Sequence, residues 1–238
     1  MGYTTITMDI TKFVSIKSTS SNIKLTHSWK YGNTIPSVID QRELQEISIC
    51  RDNPYSCLIK LIVEVLEIED STVLDLTFGV GEFYRFWKPK YLVAFDVVDW
   101  RRKGFQWVIE PNEFYEISFV KALSVLGDRK FDIVIFDPPY DTTPWSTSIA
   151  REKPWLYYGK ENLKIMIEYF PRIAKKYASK YVIAKFMDGK EITVFDLVNK
   201  FGKAPTYTII YRFVRAHRGV SENVKVVKTH TYLLVWKV

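Results

Sequence analysis

The sequence has few of the residues that hold metals or form cross-links. Its 238 residues include 2 cysteines, Cys50 and Cys57, and 3 histidines. Two cysteines do not make a disulfide framework, and without a histidine nearby they do not indicate a zinc site. No metal is therefore predicted. The low cysteine content also favours a cytoplasmic protein.

Long apolar runs are missing as well. No run approaches the eighteen residues that a membrane-spanning helix needs. The first five residues lack the basic and apolar regions of a signal peptide, and no internal repeat or low-complexity tract is present. These absences predict a protein without membrane association. With 238 residues, the chain can fold as one large α/β domain or as one domain with a small appendage.

Apolar and positively charged residues are plentiful. The chain is 47% hydrophobic and 16% aromatic, which is ample for a core and argues against disorder. Its net charge is +7 and its pI about 9.2, a balance that suits a polyanionic partner such as nucleic acid.

Strand-like and helix-like segments alternate along residues 51–238. Asn53 and Pro54 are typical of a helix start, and apolar residues then follow at helical spacing. Five strands separated by helical segments are predicted, followed by two long strands joined by a short loop: 72–76, 91–95, 114–118, 131–136, 181–186, 206–214 and 228–237. The alternation predicts a Rossmann-like, doubly wound α/β sheet of seven strands, one of them antiparallel.

Residues 1–50 have no clear period and are predicted to form an N-terminal extension to a domain spanning 51–238. The extension contains one candidate strand at Ile6, Met8 and Ile10, where apolar residues alternate with polar ones. It could act as a lid, read a base, or simply pack against the domain.

The most informative stretch is Asp137-Pro138-Pro139-Tyr140, which directly follows the apolar strand at 131–136. The two prolines end the strand, because they fix φ and lack an N–H group. Ligands of open α/β sheets bind at the carboxyl ends of the strands. The motif is therefore predicted to be catalytic.

A second candidate site follows the first strand, at Thr77-Phe78-Gly79-Val80-Gly81. Glycines allow a tight turn and close approach of the backbone to a ligand. Asp96 and Val97 end the second strand, where a carboxylate can accept hydrogen bonds from ribose hydroxyls.

A dinucleotide is disfavoured at this second site, because Tyr84 stands where the third glycine of that fingerprint would fall. Asp75 suits a cationic amino-acid head group. An amine, a carboxylate, a ribose and an adenine without phosphate together describe S-adenosylmethionine, which is the predicted cofactor.

These residues together resemble the S-adenosylmethionine-dependent amino-methyltransferases of DNA, which modify adenine N6 or cytosine N4. The segment 73–81 is similar to that family's cofactor loop, Asn53-Pro54-Tyr55 to the element before the loop, and Asp137–Tyr140 to its catalytic motif. The segment 229–237 resembles its closing strand, although Thr231 stands where Glu is frequent. No insertion is long enough for a separate target-recognition domain.

The resemblance implies that Asp137 and the Pro138 carbonyl accept the hydrogens of the target amine, while Tyr140 stacks on a flipped-out base. An aspartate in the motif leans towards adenine. An RNA methyltransferase acting on adenine N6 or guanine N2, a cytosine-N4 enzyme, and an inactive nucleic-acid-binding subunit are the alternatives.

Nucleic-acid contacts are predicted in two segments, with double-stranded DNA favoured over RNA. Trp145, Trp155 and Tyr157 lie in a proline-containing loop after the catalytic motif, where rings have less core to fill. Arg212, Arg215 and Arg218 cluster near the terminal pair of strands. Lys185 is expected to be solvated rather than bound to a phosphate. Oligomeric state stays open between monomer and dimer.

Overall fold

The computed structural model describes residues 36–40, 53–139, 160–188, 192–217 and 225–238. Eight strands and four α-helices occupy these ranges, with short 3₁₀ turns between several of them. In chain order they are β1 Pro36–Asp40, α1 Pro54–Val65, β2 Thr72–Asp75, β3 Tyr91–Asp96, β4 Glu113–Glu116, α2 Ala122–Val125, β5 Phe131–Phe136, α3 Lys160–Tyr177, β6 Ala178–Met187, α4 Val194–Phe201, β7 Tyr207–His217 and β8 Lys225–Lys237.

All eight strands belong to one sheet with the order β1-β7-β8-β6-β5-β2-β3-β4. The strands pair in parallel except that β8 runs antiparallel to both of its neighbours, β6 and β7. The order reverses between β2 and β5, which is where a doubly wound sheet opens a crevice for ligands. The chain is therefore a Rossmann-like α/β protein, and the predicted set of seven strands with one reversed is confirmed.

The eighth strand, β1, was not anticipated. It comes from the segment predicted as an extension and pairs in parallel with β7, with Pro36 opposite Thr208 and Asp40 opposite Arg212. Five residues without a strong alternating pattern give little local signal, so their pairing depends on the β7 edge. The candidate strand at Ile6, Met8 and Ile10 lies outside the described residues.

Alternation along the central strands divides the core between the two faces of the sheet. On β5, Val134 and Phe136 face α3 and α4, whereas Ile133 and Ile135 face α1. The same alternation holds on β2, β3, β6 and β8, because successive side chains of a strand point to opposite faces. Both faces are covered by helices, so the central strands are apolar on both sides.

Local signals explain most helix boundaries. Pro54 occupies the first turn of α1, although the Asn53 side chain makes no capping hydrogen bond. Thr193 and Asp196 form a capping box at the start of α4, which ends at Gly202 with φ of 73°. Between β2 and β3, where the alternation predicts a helical segment, the chain forms only a 3₁₀ turn, Glu82–Tyr84.

Two further findings concern the cysteines and the membrane prediction. Cys57 is buried in α1 and disulfide-bonded, which the sequence did not suggest. Cys50, the other cysteine of the chain, lies outside the described residues. Within the described ranges, no helix is both long enough and apolar enough to cross a membrane.

Candidate active site at the carboxyl edge of the sheet

Polar side chains interrupt the apolar pattern at the carboxyl edge of the sheet, on the face covered by α1. In spatial order across the sheet they are Asp96 at the end of β3, Asp75 at the end of β2, Asp137 after β5, Lys185 on β6 and Thr231 on β8. Each takes a position where the strand alternation would otherwise place an apolar residue facing α1. The predicted cofactor and catalytic segments therefore meet along one edge.

The loop after β2 is held in a compact turn by two glycines with positive φ, Gly79 at 58° and Gly81 at 76°. A Cβ atom on Gly81 would lie 2.8 Å from the Phe78 ring, so a side chain does not fit there. The Phe78 ring itself is buried against Trp107, with centroids 5.3 Å apart, and leaves only its backbone at the loop surface. Because the loop presents mainly backbone, a ligand can approach it closely.

Asp75 anchors this loop from below. Its carboxylate accepts hydrogen bonds from the Thr77 N–H at 2.9 Å and from the Tyr84 hydroxyl at 2.8 Å. The side chain is buried, and this burial raises its pKa from 3.8 to about 7. Asp75 therefore shapes the loop and adds negative charge beneath it. Tyr84, which takes the place of the third glycine of the dinucleotide fingerprint, is the hydrogen-bond partner of Asp75.

Asp96 joins the end of β3 to the same loop. Its Oδ2 accepts the Gly79 N–H at 2.7 Å and its Oδ1 accepts the Val98 N–H at 3.1 Å. Burial raises the pKa of Asp96 to about 6. The Trp100 side chain and the Val97 backbone also act as hydrogen-bond donors to this carboxylate, and the apolar Val97 side chain beside it is 38% exposed.

Asp137 stands directly after β5 and is paired with Lys185. The Lys185 ammonium donates to Oδ1 at 2.9 Å and to Oδ2 at 2.7 Å. The Asp137 backbone N–H donates to the Thr77 hydroxyl at 2.7 Å, which ties the catalytic segment to the glycine loop. Burial raises the pKa of Asp137, and the adjacent Lys185 charge opposes that rise.

The expectation of a solvated Lys185 is wrong, because its side chain is only 4% exposed. Sequence reasoning missed its role because its partner, Asp137, lies 48 residues away in the sequence. A signal does exist in the strand alternation, since Lys185 replaces an apolar residue between Ala184 and Phe186 on a strand whose inner positions are otherwise apolar.

The first turn of α1 closes the site beside Lys185. The Tyr55 ring lies 4.4 Å from the Lys185 ammonium, and its hydroxyl hydrogen-bonds the Thr231 hydroxyl at 3.2 Å. Asn53 and Pro54 begin the same turn, so these two predicted cofactor residues lie at the same edge as Asp137. Thr231 is fully buried and serves as the partner of Tyr55.

Several predicted site residues lie beyond what the structure describes. Pro138 and Pro139 follow Asp137 as predicted, but Tyr140, Trp145, Trp155, Tyr157 and Arg218 are outside the described residues. Arg212 and Arg215 belong to strand β7, where they pair with His230 and Val227. Their proposed roles stay predictions.

The basic segment Arg101–Lys103 offers less free charge than its sequence suggests. Arg101 pairs with Asp99 and Glu110, and Arg102 pairs with Glu116 at 2.6 Å. These partners neutralise both guanidinium groups, so the segment is a weaker candidate for a phosphate contact than its sequence indicates.

Among the described residues of this site, carboxylates outnumber cations. Asp75, Asp96 and Asp137 face one ammonium group, and Asp137 and Asp96 both raise the pKa of Asp75 through repulsion. Such an arrangement is relieved by a positively charged ligand. Within the described part of the chain, no group of three or more His, Cys, Asp or Glu residues is arranged to hold a metal ion.

Comparison with known proteins adds structural neighbours of low identity. No protein-family model matches the chain, and no curated protein matches its sequence. A structure from Pyrococcus horikoshii, provisionally assigned as an RNA methyltransferase, shares 14% identity over 77% of this chain and 83% of that one, with a TM-score of 0.46.

Two other solved structures are similar to a comparable degree. Precorrin 8w decarboxylase from Methanobacterium thermoautotrophicum shares 14% identity over 76% of this chain and 89% of its own, with a TM-score of 0.42. Magnesium protoporphyrin IX methyltransferase from Synechocystis, solved with bound S-adenosylmethionine, shares 13% identity over 80% and 82%, with a TM-score of 0.38. At these scores the likenesses assign neither activity nor substrate.

Proposed function

We propose that this protein transfers a methyl group from S-adenosylmethionine to the exocyclic amino group of a nucleobase, with adenine N6 in double-stranded DNA as the favoured target. The observation that carries the proposal is the position of Asp137-Pro138-Pro139. The motif follows a buried strand, next to a glycine loop to which it is hydrogen-bonded through Thr77. A carboxylate that accepts amine hydrogens thus stands beside a surface suited to a small cofactor.

The residues of the edge fit S-adenosylmethionine in shape and charge. Gly79 and Gly81 leave a backbone surface without side chains, Asp96 offers acceptor oxygens to a ribose, and Val97 offers an apolar surface to an adenine ring. The surplus of carboxylates suits a ligand with a sulfonium and an ammonium group. When bound, the cofactor supplies an electrophilic methyl group on sulfur.

The role of this chain in the reaction is to orient and activate the amine. An exocyclic nitrogen is a poor nucleophile, because its lone pair is delocalised into the base. By accepting the two amine hydrogens, the Asp137 carboxylate and the Pro138 carbonyl would make the nitrogen more tetrahedral. The gain comes from positioning and from charge arranged for the transition state.

The decisive experiment measures transfer of tritium from labelled S-adenosylmethionine to duplex DNA, single-stranded DNA and RNA, followed by nucleoside identification. Labelled N6-methyladenine from duplex DNA is the expected product. Label confined to RNA moves the substrate to the RNA alternative, and label in N4-methylcytosine moves it to the other base. Absence of label from every nucleic acid contradicts the proposal.

A matched pair of variants gives this experiment its control. Asp137→Ala removes the carboxylate at the carboxyl end of β5, and Asp132→Ala removes a carboxylate of equal exposure at the amino end of the same strand. Only the first should abolish transfer. Equal activity of the two variants would remove Asp137 from the reaction.

A further inference from the structure

The feature that the proposed reaction leaves unexplained is the burial of Lys185. A lysine ammonium removed from water costs several kcal/mol unless it is paired and hydrogen-bonded. Lys185 lies on the face of β6 that packs against α1, and its neighbours on that face, Ile183 and Met187, are apolar. An apolar side chain would therefore satisfy the fold at this position, and the charge calls for a functional reason.

The geometry of the Lys185–Asp137 ion pair shows how the lysine charge acts on the carboxylate. The ammonium contacts both carboxylate oxygens of Asp137, at 2.9 and 2.7 Å, so the carboxylate is held in one orientation. Each oxygen has two lone pairs and uses one for Lys185. Acceptor capacity therefore remains on Asp137 for the hydrogens of an incoming amine.

Aromatic rings from two other elements hold the ammonium in place. The ring of Tyr55, in the first turn of α1, lies 4.4 Å from it, and the ring of Phe83, just after the glycine loop, lies 5.4 Å from it. Ring faces attract cations and allow little rotation of the long lysine chain. The two rings thus hold the Lys185 ammonium against the Asp137 carboxylate.

We propose that Lys185 is a positioning residue, which keeps Asp137 ionised and oriented so that the carboxylate acts only as an acceptor for the target amine. A protonated carboxyl would instead present an O–H donor to the amine, and the enzyme would lose activity because the amine hydrogens would lack an acceptor. The catalytic part of this inference rests on the proposed function. The part that concerns the charge and orientation of Asp137 does not.

Electrostatics around Asp137 support this assignment. Among the described residues, Lys185 on β6 is the cation that acts on it, Asp75 on β2 repels it, and Asp96 on β3 repels Asp75 in turn. Burial favours protonation of Asp137, and the charge and hydrogen bonds of Lys185 oppose it. Loss of the lysine charge therefore raises the pKa of the carboxyl.

The same two strands provide a matched control. Lys180 pairs with Asp132 at 2.9 Å, five residues before Lys185 and Asp137 respectively, but its side chain is 57% exposed. Asp132 is also held by Thr72, through its N–H and its hydroxyl. Lys180→Met removes a lysine–aspartate pair of the same strands at the opposite end.

The experiment measures two quantities in wild type, Lys185→Met, Lys185→Gln, Lys185→Arg and Lys180→Met. The first is the titration of the Asp137 carboxyl by ¹³C NMR in free protein, assigned with Asp137→Asn. The second is the pH dependence of single-turnover methylation. Lys185→Gln keeps a hydrogen-bond donor without charge, and serves if the methionine variant does not fold.

The expected result is an upward shift of the Asp137 titration by at least about one pH unit in Lys185→Met and Lys185→Gln. The acid limb of the rate profile shifts equally, so activity is regained at high pH. Lys185→Arg restores both, and Lys180→Met changes neither. A purely structural lysine would lower the melting temperature and leave both curves in place, which would overturn the inference.

The two proposals fail in distinguishable ways. If wild type methylates no nucleic acid but the Asp137 titration shifts as expected, the proposed function is wrong and the charge assignment of Lys185 stands. If wild type methylates nucleic acid and neither the titration nor the acid limb shifts in Lys185→Met or Lys185→Gln, only the role of Lys185 is overturned.

Discussion

Strands β5 and β6 hold two lysine–aspartate pairs, and their differences separate structure from function. Asp132–Lys180 lies at the amino end and Asp137–Lys185 at the carboxyl end, with the two aspartate side chains equally exposed at 23%. Burial tends to raise the pKa of both carboxyls, but hydrogen bonds from Thr72 and Lys180 outweigh it at Asp132 and lower that pKa, whereas at Asp137 burial outweighs Lys185. The protein therefore stabilises the ionised form of Asp132 and destabilises the ionised form of Asp137.

The contrast extends along both edges of the sheet. At the amino end of β4, Glu113 receives two hydrogen bonds from Arg129 and others from Tyr91 and Tyr115, which lower its pKa to about 2. At the carboxyl edge, burial raises the pKa of Asp75 to about 7 and that of Asp96 to about 6. Glu113 is thus stabilised in its ionised form by its donors, whereas burial destabilises the ionised forms of Asp75 and Asp96.

The largest expected effect is on turnover at the carboxyl end. Asp137→Ala should slow single-turnover methylation a hundredfold or more, roughly 3 kcal/mol, as for loss of a group aimed at a transition state. Cofactor affinity should change little, because in the proposed function this carboxylate contacts the target amine and not the cofactor. Asp132→Ala, measured in the same assay, should retain wild-type turnover in its folded fraction. If Asp132→Ala also methylated slowly, the two lysine–aspartate pairs would not differ in function.

Cofactor affinity is the next test of the carboxyl edge. Asp96→Ala removes the carboxylate that we propose as the acceptor for the ribose, and should weaken S-adenosylmethionine binding by about 1.5–3 kcal/mol, measured by calorimetry. Glu113→Ala at the amino edge should lower thermal stability and leave that affinity unchanged. Unchanged affinity in Asp96→Ala would remove this carboxylate from the cofactor site.

Stability should depend on pH in opposite directions at the two edges. A carboxyl whose pKa is raised on folding favours the folded state less as pH rises from about 4 to about 7, because the folded state then binds more protons than the unfolded one. Glu113, with its lowered pKa, contributes stability that is present above its unfolded pKa and lost as pH falls towards 2.

Asp75→Asn tests the first of these slopes. The rise from 3.8 to about 7 corresponds to roughly 4 kcal/mol. This figure already includes the hydrogen bonds from Thr77 and Tyr84, which lower the pKa. Denaturant unfolding at pH 8 should therefore show a gain of up to about 4 kcal/mol in free protein that vanishes near pH 4. A uniform loss across pH would show that Asp75 is satisfied as an ionised group.

The smallest effect is expected at the exposed pair. Lys180→Met should change the free energy of unfolding by at most about 1 kcal/mol, because more than half of the Lys180 side chain is in water. Chemical denaturation in low and high salt measures it. A larger loss would mean that the amino-end pair is more than a surface contact.

Local signals made the parallel sheet and the site segments predictable. Apolar strands alternate with helical spacing, and Pro138 and Pro139 mark the end of β5 by chemistry that does not depend on the rest of the fold. Lys185 and β1 were not predictable in this way. The burial of Lys185 depends on Asp137, 48 residues away in the sequence, and β1 becomes a strand only where β7 offers it an edge.

The reversed strand β8 has a consequence for folding during synthesis. It follows β7 in the chain but lies between β6 and β7, so β6 presents an unpaired edge until β8 has been made. Unpaired edges invite wrong pairing with other chains, and charged side chains on an edge strand discourage it. Lys185, which finally pairs opposite Leu233 of β8, stands on that edge in the meantime. The residue that we propose to position Asp137 would thus also protect the nascent sheet from aggregation.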